Sequence, residues 1–529
     1  MRRRNFVNLI ALTAGYAMNT NATGSNQFDV REKTIAQLQL EMQAGTLTSR
    51  QLVQLYLARI TALDKAGPKI NSIIELNPEA LDIAANLDSE RKAKGQRGPL
   101  HGIPVLLKDN IATADRMQTT AGSLALVGMK PPRDADLVAR LRSAGAVILG
   151  KTNLSEWANM RSTRSTSGWS ARGGLTLNPY ALDRNTSGSS SGSGASIAAS
   201  LAAVAVGTET DGSITSPASV SGLVGIKPTV GLVSRAGIIP IAHSQDTAGP
   251  MARTVADAAA LLSAMAGSDG RDSATHLADQ KKVDYSAFLD SKGLQGKRIG
   301  VVRSQLAGSS DLVAAVVEKQ IAVLRAQGAT LVEVPEIPNA SKYGESELTV
   351  LLYELKSDMA RYLADYGPQA PIKTLADIIA YNTANPKTEL KFFGQEHLIA
   401  AQAKGDLNSP QYLEALANNL HYARTQGIDP LMAEHRLDAM VAPTGGPAWL
   451  TDLTNGDAPG ASFTSPAAVA GYPHITVPCG LVHGLPIGLS FVGSAWSEGP
   501  LIAMAFAYEQ ASLQRRPPSY AKSRNQSAA

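Results

Sequence analysis

Residues 188–214 read GSSSGSGASIAASLAAVAVGTETDGSI, and this stretch decides the fold of the chain. Each end of it is a glycine turn that carries serine, at residues 188–194 and at residues 207–214. The segment between the turns, residues 195–206, is apolar and rich in alanine, which predicts a helix. Such a helix would hold the two turns at a fixed separation, as an active site requires.

A lysine about eighty residues upstream adds a possible base to these serines. The sequence Leu106-Leu107-Lys108-Asp109-Asn110 places Lys108 at the end of a short apolar run. Taken alone, a Ser/Gly run is typical of a flexible linker, and a lysine after apolar residues is typical of a strand end that reaches water. Here the Ser/Gly run adjoins an apolar segment and a second serine turn follows. The combination indicates nucleophilic catalysis with a neutral amine as base.

The composition predicts a large, loop-rich globular enzyme. The chain has 529 residues, of which 44% are apolar, with 46 glycines and 28 prolines. No long polar or low-complexity stretch divides it, so residues 26–516 are interpreted as one domain, followed by a flexible tail at residues 517–529. The net charge of +4 is small for this length and does not favour a nucleic-acid partner.

Cysteine and histidine usage argues against metal and disulfide chemistry. The single cysteine, Cys479, excludes an internal disulfide and a cysteine-based metal cluster. No two histidines have the His-x-x-x-His spacing. We therefore predict no metal and no cofactor.

The first 25 residues have the order of regions found in a signal peptide. Three arginines, residues 2–4, precede a weakly apolar run at residues 9–18 and then small polar residues. The pattern also resembles a twin-arginine signal, which predicts export to the periplasm or medium; a frayed N-terminus on a cytoplasmic protein is the alternative. No later run is long and apolar enough to span a bilayer, so no membrane association is expected.

Strand-like and helical patterns alternate along the chain, which predicts an α/β fold. Strands from distant parts of the sequence are expected to share one sheet, and residues 336–430 are expected to form a helical lobe. The expected strands are residues 105–107, 146–149, 298–302, 329–334, 439–441, 475–478 and 487–492. The expected helices include two near the N-terminus, at residues 35–42 and from Thr48 onward, and residues 137–144, 311–327 and 501–510.

Two motif matches are interpreted as coincidental or weak. Residues 145–152 fit the phosphate-loop spacing G-x-x-x-x-G-K-T, but the Ala-Val-Ile-Leu in the middle is typical of a strand rather than an open loop. Residues 188–192 fit the nucleophile elbow G-x-S-x-G, but polar, turn-like residues precede them instead of a buried strand. The elbow would need a histidine, and His243, His474 and His483 are available, so it stays open as a weak alternative.

Several sequence blocks together resemble the amidase signature family of Ser-Ser-Lys amide hydrolases. These blocks, in family order, are residues 101–110, 145–157, 188–235, 244–250 and 441–444. The resemblance covers nearly the whole chain after residue 30. Within the family, residues 155–157, 168–174 and 208–213 are most similar to bacterial peptide amidases, which remove the C-terminal amide of peptides.

The resemblance implies a fold and a set of site residues. The fold is one large domain with a mixed β-sheet of about eleven strands, covered by α-helices on both faces. Ser213 corresponds to the nucleophile, Ser189 to the serine that passes the proton and often follows a cis peptide, and Lys108 to the base, with Ser190 in support. The expected oxyanion hole consists of the backbone N–H groups of Thr210, Asp211, Gly212 and Ser213.

The residue types fit this chemistry. A serine hydroxyl is a weak nucleophile until a base takes its proton. Lysine can be that base only when neutral, and burial lowers its pKa by up to about 3–5 units. Ser189 can bridge Lys108 and Ser213 because a hydroxyl both donates and accepts a hydrogen bond.

The chain departs from the family pattern at two positions. Asp211 stands where most members have glycine, and Ser191 replaces a common glycine. A carboxylate near a forming oxyanion would be unfavourable, so we expect the Asp211 side chain to point away. Substrate contacts are not defined by the sequence; Trp449, Phe463 and Trp496 are candidates, although such aromatics are more often core residues.

The expected function is hydrolysis of linear carboxamides by a monomer, with a small-molecule or short peptide amide as substrate. Removal of the C-terminal amide of peptides, with release of ammonia, is the first hypothesis. A broad-specificity aliphatic or aryl amidase and the glutaminase subunit of a tRNA-dependent amidotransferase are alternatives, and export would argue against the latter. A catalytically inactive binding protein is disfavoured because Lys108, Ser189 and Ser213 are all present.

Overall fold

Eleven strands form one mixed sheet in the computed structural model of this chain, which describes residues 28–524. The expected signal peptide and the last five residues lie outside the described residues. The strands are β1 (Ile73–Leu76), β2 (Pro104–Lys108), β3 (Val147–Thr152), β4 (Trp169–Ser170), β5 (Gly174–Leu175), β6 (Val204–Glu209), β7 (Val224–Lys227), β8 (Thr247–Ala252), β9 (Arg298–Val302), β10 (Thr330–Val334), β11 (Ala439–Pro443), β12 (His474–Val482) and β13 (Leu485–Val492).

The strand order is β1-β3-β2-β6-β8-β7-β12-β13-β11-β9-β10, with β4 and β5 paired separately. Strand β2 is parallel to both β3 and β6, and β9 is parallel to both β10 and β11. The remaining pairs are antiparallel. Because β2 and β6 are parallel neighbours, their carboxyl ends lie at the same edge of the sheet. That edge carries Lys108 and the second serine turn.

Helices cover both faces of the sheet. Every residue of the strands β2, β3, β6, β7, β8, β11 and β13 is buried, which requires cover on both sides. The helices are α1 (Ile35–Ala44), α2 (Ser49–Arg59), α3 (Ala80–Lys94), α4 (Asp136–Ser143), α5 (Ser191–Ala198), α6 (Thr215–Val220), α7 (Val255–Met265), α8 (Ala278–Lys281), α9 (Arg303–Ala307), α10 (Asp311–Ala326), α11 (Gly344–Tyr366), α12 (Leu375–Ala384), α13 (Glu396–Gln402), α14 (Pro410–Leu420), α15 (Asp429–Glu434), α16 (Ser465–Ala470) and α17 (Glu498–Ser512).

The α/β class and the eleven-stranded mixed sheet are confirmed. Each strand that the patterns predicted is present, and β9 has the predicted bounds. The two N-terminal helices are present as well, and each begins with a capping box, at Thr34 and at Thr48. Residues 336–430 contain the helices α11 to α14, as the expected helical lobe requires. Among residues 28–524, no helix combines the length and the apolar character needed to cross a membrane.

The predicted helix over residues 195–206 is wrong in its second half. Helix α5 ends at Ala198, the backbone at Ser200 is left-handed with φ 54°, and β6 begins at Val204. The helix propensity of alanine is overridden by tertiary context here, because Val204 and Val206 fit a strand that pairs with both β2 and β8. A helix followed by a strand, rather than one helix, therefore connects the two serine turns.

The interpretation of the two motif matches is confirmed. Within residues 145–152, the run from Val147 onward is strand β3, so no open phosphate loop exists there. Its Lys151 is buried and donates hydrogen bonds to the carbonyl of Ile111 (2.6 Å) and to Thr119 Oγ1 (2.8 Å). Residues 178–187, before the first serine turn, form turns and two isolated bridges rather than a strand.

The chain after α17 lies against an earlier loop. The N–H of Leu182 donates to the carbonyl of Ala521, and the N–H of Tyr520 donates to the carbonyl of Pro179, at 2.8 and 2.9 Å. These contacts fall within the region predicted as a tail. They place the part of it up to Arg524 beside the loop that precedes the first serine turn.

The Ser/Gly run of residues 188–194 is packed too closely to act as a linker. A Cβ atom at Gly192 would lie 2.2 Å from the carbonyl oxygen of Ser72 and 2.5 Å from that of Asn153. Both obstacles are backbone atoms, so neither can rotate away. The N–H of Gly192 also donates to the Asn153 carbonyl at 2.9 Å.

We therefore expect Gly192→Ala to lower stability by about 1–3 kcal/mol, because the backbone must shift to admit the methyl group. Thermal unfolding measures the effect. The matched control is Gly98→Ala, where a Cβ would have no neighbour within 4 Å. Equal unfolding midpoints for the two variants would contradict the close packing of this run.

Candidate active site

Lys108 is the last residue of β2 and is fully buried. Its Nζ donates to Ser189 Oγ at 2.8 Å, to Thr208 Oγ1 at 2.8 Å and to the Thr208 carbonyl at 3.1 Å. The sheet register explains the contacts with Thr208, since Leu107 pairs with Val206 on the parallel strand β6. The side chain therefore joins the carboxyl end of β6 to the first serine turn.

Burial lowers the pKa of Lys108 from 10.5 to about 7, and the charges of Asp246 and Glu209 oppose that shift. Asp246 accepts from Thr210 Oγ1 at 2.5 Å and from the N–H groups of Ile241 and Ala242. Burial also raises the pKa of Asp246, to about 6. The lysine is thus half neutral near pH 7, which a lysine exposed to water would not be.

The first serine turn is fixed by hydrogen bonds through its backbone. The peptide bond between Gly188 and Ser189 is cis, as the family resemblance implies. The Ser189 carbonyl accepts from the N–H of Ser155 at 3.1 Å. Ser190 Oγ donates to the Thr208 carbonyl at 3.1 Å and accepts from the Thr208 N–H at 3.2 Å. Ser190 therefore ties the first turn to β6.

The second serine turn follows β6 directly and meets the first. The N–H of Ser190 donates to the Ser213 carbonyl at 3.1 Å. Gly212 has φ 76°, a left-handed conformation that favours glycine. The buried carboxylate of Glu209 accepts from the N–H groups of Ile214 (2.7 Å) and Thr215 (2.9 Å) and so closes the turn from behind.

The turn offers the free backbone donors that an oxyanion hole needs. Among residues 28–524, the backbone N–H groups of four residues donate no hydrogen bond: Thr210, Asp211, Gly212 and Ser213. Backbone amides left free beside a serine can hold a developing negative charge.

Ser213 is buried, with 7% of the residue exposed. Its hydroxyl has no hydrogen-bond partner among the described residues. The Lys108–Ser189 link is thus made in this structure, whereas no hydrogen bond joins Ser189 to Ser213. Catalytic links of this kind often tighten only when the substrate binds.

The side chain of Asp211 makes a hydrogen bond with helix α16. Its Oδ2 accepts from Ser465 Oγ at 2.5 Å. Glu347, on the first turn of α11, is held nearby, because Gln245 Nε2 donates both to Glu347 Oε1 at 2.9 Å and to the Thr210 carbonyl at 3.3 Å. The hydrogen bond of Asp211 is therefore with α16, and it bonds none of the serines at residues 189–191 or 213.

Sequence reasoning assigned no role to Thr208, Glu209, Asp246 and Asn110, which surround the candidate site. Asn110 Nδ2 donates to Thr208 Oγ1 at 3.0 Å, so Thr208 receives donors from both Asn110 and Lys108. All four residues stand in blocks that carried the family resemblance. Their polarity within apolar surroundings was the signal available, but only the fold shows which groups they contact.

The candidate histidines lie apart from the serine turns. His474 is buried in β12, hydrogen-bonds Ser490 Oγ at 2.6 Å, and burial lowers its pKa to about 3. His483 is exposed between β12 and β13. His243 is bonded to Asp358 at 2.8 Å. No hydrogen bond among the described residues joins any of the three to the serines at residues 189–191 or 213, so the nucleophile-elbow interpretation lacks its base.

His243, Glu354 and Asp358 are the one group of described residues whose ligand atoms could hold a metal ion, lying within 4.8 Å of one another. Their atoms already have partners in the protein. Asp358 Oδ2 accepts from the backbone and ring nitrogens of His243, and Glu354 accepts from Tyr412 Oη and the Ser244 N–H. We interpret the group as an ion-pair network that joins α11 to the loop before β8.

The three candidate aromatics occupy different environments. Trp449 is partly exposed and lines a small cavity of about 30 Å³ together with Ser187 and Ser216. Phe463 is fully buried and packs edge-on against His474. Trp496 packs at the margin of the main core. Of the three, only Trp449 lies beside both serine turns.

The Amidase family model matches residues 51–502, and the chain belongs to this family, whose members hydrolyse carbon–nitrogen bonds in amides. Within the family, the fold is similar to that of the native peptide amidase from Stenotrophomonas maltophilia. That structure has 54% sequence identity, covers 93% of this chain and 99% of its own, and superimposes with a TM-score of 0.88.

Two curated relatives show the breadth of the family. A probable amidase of Arabidopsis thaliana is 42% identical over 506 residues, covering 94% of this chain and 93% of its own. One component of the glutamyl-tRNA(Gln) amidotransferase from Halorhodospira halophila is 36% identical over 496 residues, covering 91% of this chain and 97% of its own. The chain is a hydrolase of linear amides, and the particular amide is a separate question.

Proposed function

We propose that this enzyme removes the C-terminal amide of peptides, with Ser213 as nucleophile, Ser189 as proton relay and Lys108 as base. The observation that carries the proposal is the 2.8 Å hydrogen bond from a fully buried lysine to a serine of the first turn, beside a second turn with free N–H groups. The similarity to the Stenotrophomonas peptide amidase supports the choice of substrate.

The first half of the reaction forms an acyl-enzyme. Neutral Lys108 accepts the Ser189 hydroxyl proton, and Ser189 accepts that of Ser213. Ser213 Oγ then bonds to the amide carbon, and the carbonyl oxygen becomes an oxyanion held by the free N–H groups of residues 210–213. Substrate binding has to bring the Ser213 hydroxyl within reach of Ser189.

The second half returns the proton and regenerates the enzyme. When the tetrahedral intermediate collapses, the bond from carbon to nitrogen breaks, and the proton passes from Lys108 through Ser189 to the leaving nitrogen, which departs as ammonia. A water molecule then attacks the ester carbon, and the same relay takes its proton. The bond from that carbon to Ser213 Oγ breaks, the relay returns the proton to Ser213 Oγ, and the product acid leaves.

Ammonia release from an amidated dipeptide, benzamide and glutamine tests the proposal directly. We expect release from the dipeptide amide by the wild type and a loss of at least about a thousandfold in Ser213→Ala, because the nucleophile is gone. Activity on benzamide alone would indicate a broad amidase, and activity on glutamine alone would indicate a glutaminase; either would overturn the peptide substrate.

Replacement of the base tests the relay. We expect Lys108→Met, which keeps most of the side-chain volume, to abolish labelling of Ser213 by a fluorophosphonate probe, because no neutral amine then activates the serine. The matched control is Lys151→Met. Lys151 is also a buried lysine near a strand end, with its pKa lowered by burial to about 8, but it bonds Ile111 and Thr119. Labelling that survives in Lys108→Met but is lost in His474→Gln would instead favour a histidine base.

The rate should follow the titration of Lys108. Its pKa is about 7, and only the neutral amine is a base, so kcat/KM should rise with pH, with half its plateau value near pH 7 and about a tenth of it near pH 6. Asp246→Asn removes a charge that favours the protonated lysine, so this variant should move the midpoint to lower pH. A flat profile between pH 6 and 8 would refute a lysine base.

A further inference from the structure

Two carboxyl groups meet beside the second serine turn, where the proposed mechanism does not use them. Asp211 lies two residues before Ser213, and the Gln245 amide joins Glu347 to the carbonyl of Thr210, the residue that precedes Asp211. Burial raises the pKa of both carboxyls, and the charge of Asp211 raises the pKa of Glu347 further. Two neighbouring carboxyls of this kind favour a single negative charge on the pair.

Uncharged hydrogen-bond donors hold the two carboxyls in place and leave the negative charge of the pair uncompensated. Ser465 Oγ donates to Asp211 Oδ2, and Gln245 Nε2 donates to Glu347 Oε1 at 2.9 Å and to the Thr210 carbonyl at 3.3 Å. Among residues 28–524, no arginine, lysine or histidine forms a salt bridge with either carboxyl. Lys227 influences Asp211 only at longer range and is itself buried.

Unpartnered polar atoms converge on the same place. Asp211 Oδ1, Gln245 Oε1 and the Tyr343 hydroxyl are buried and have no hydrogen-bond partner among the described residues. The residue Tyr343 is 2% exposed, and its carbonyl accepts from the N–H of Glu347 at 2.7 Å. Burial, and then the charges of Asp211 and Glu347, raise the pKa of its hydroxyl. Two of the three unpartnered atoms are acceptors only, so they require N–H donors that the protein does not supply.

The pair is also accessible, since Asp211 and Glu347 are both partly exposed. An acceptor-rich, negatively charged surface next to the nucleophile turn would meet the part of the substrate that extends from the reacting carbonyl. In a peptide amide, that part carries backbone N–H groups and, in a dipeptide, a terminal ammonium.

We propose that Asp211 and Glu347 form a substrate-selecting carboxyl pair, which binds N–H donors and ammonium groups on the acyl side of the amide and repels carboxylates there. The proposal rests on the function proposed above and extends it to the charge of the substrate.

Three dipeptide amides that differ only at the N-terminus provide the test: one with the free ammonium, one N-acetylated and one N-succinylated. At pH 7 most of the free amino termini are protonated. The readout is the kcat/KM ratio of the ammonium substrate to the succinyl substrate within each variant, so a change in overall rate cancels. For the wild type we expect a ratio of at least about ten, falling as salt is added.

The shared charge makes a specific prediction for the variants. Glu347→Gln leaves a charged Asp211, and Asp211→Asn leaves a charged Glu347, so each single variant should keep most of the ratio. The double variant carries no charge, and its ratio should fall about tenfold, toward one. The matched control is Glu345→Gln, which removes an exposed charge from the same turn of α11 and should keep the wild-type ratio.

Two results would overturn the pair while leaving peptide amide hydrolysis intact: equal kcat/KM for the three substrates in the wild type, or an unchanged ratio in the double variant. Failure of the proposed function is different, since the wild type would then release no ammonia from any of the three dipeptide amides. If the double variant does not fold, the salt dependence of the wild-type ratio decides, and a ratio insensitive to salt rejects a charge-selecting pair.

Discussion

The burial of one amine is the constraint on which the candidate site depends. Lys108 is withdrawn from water at the end of a central strand, and desolvation brings its pKa to about 7. The remaining polar contacts, with Ser189 and Thr208, satisfy its hydrogen-bonding capacity without giving it a carboxylate partner. A direct salt bridge would keep the lysine charged and remove it as a base.

The sheet supplies the geometry around this amine. The parallel pairing of β2 with β6 brings Lys108 within hydrogen-bond reach of Thr208, and the end of β6 leads directly into the turn that carries Ser213. Ser190 then links both turns, because its hydroxyl bonds Thr208 and its N–H bonds the Ser213 carbonyl. Strand pairing and the hydrogen bonds of Ser190 therefore hold the two turns together, and Lys108 Nζ is fixed by its bonds to Ser189 and Thr208.

Several acidic side chains surround the second serine turn. Glu209 lies behind the second turn and binds the N–H groups of Ile214 and Thr215, while Asp246 offsets part of the desolvation of Lys108. Burial raises the pKa of each of these carboxyls, which limits the charge that faces the oxyanion. In the pair proposed above, burial likewise raises the pKa values of Asp211 and Glu347.

The sequence by itself determined the α/β class, most strands and the family, and it identified Lys108, Ser189 and Ser213 as candidate site residues, because hydrophobic periodicity and glycine–serine turns are local signals. It could not place the boundary between α5 and β6, since the alanines that favour a helix stand beside valines whose strand state depends on pairing with β2 and β8. Nor could it join Glu347 to Asp211, or Asp246 to the surroundings of Lys108, because these groups lie far apart in the chain. Only the tertiary structure decided which charges meet in a buried space, and that proximity sets the pKa values on which the chemistry depends.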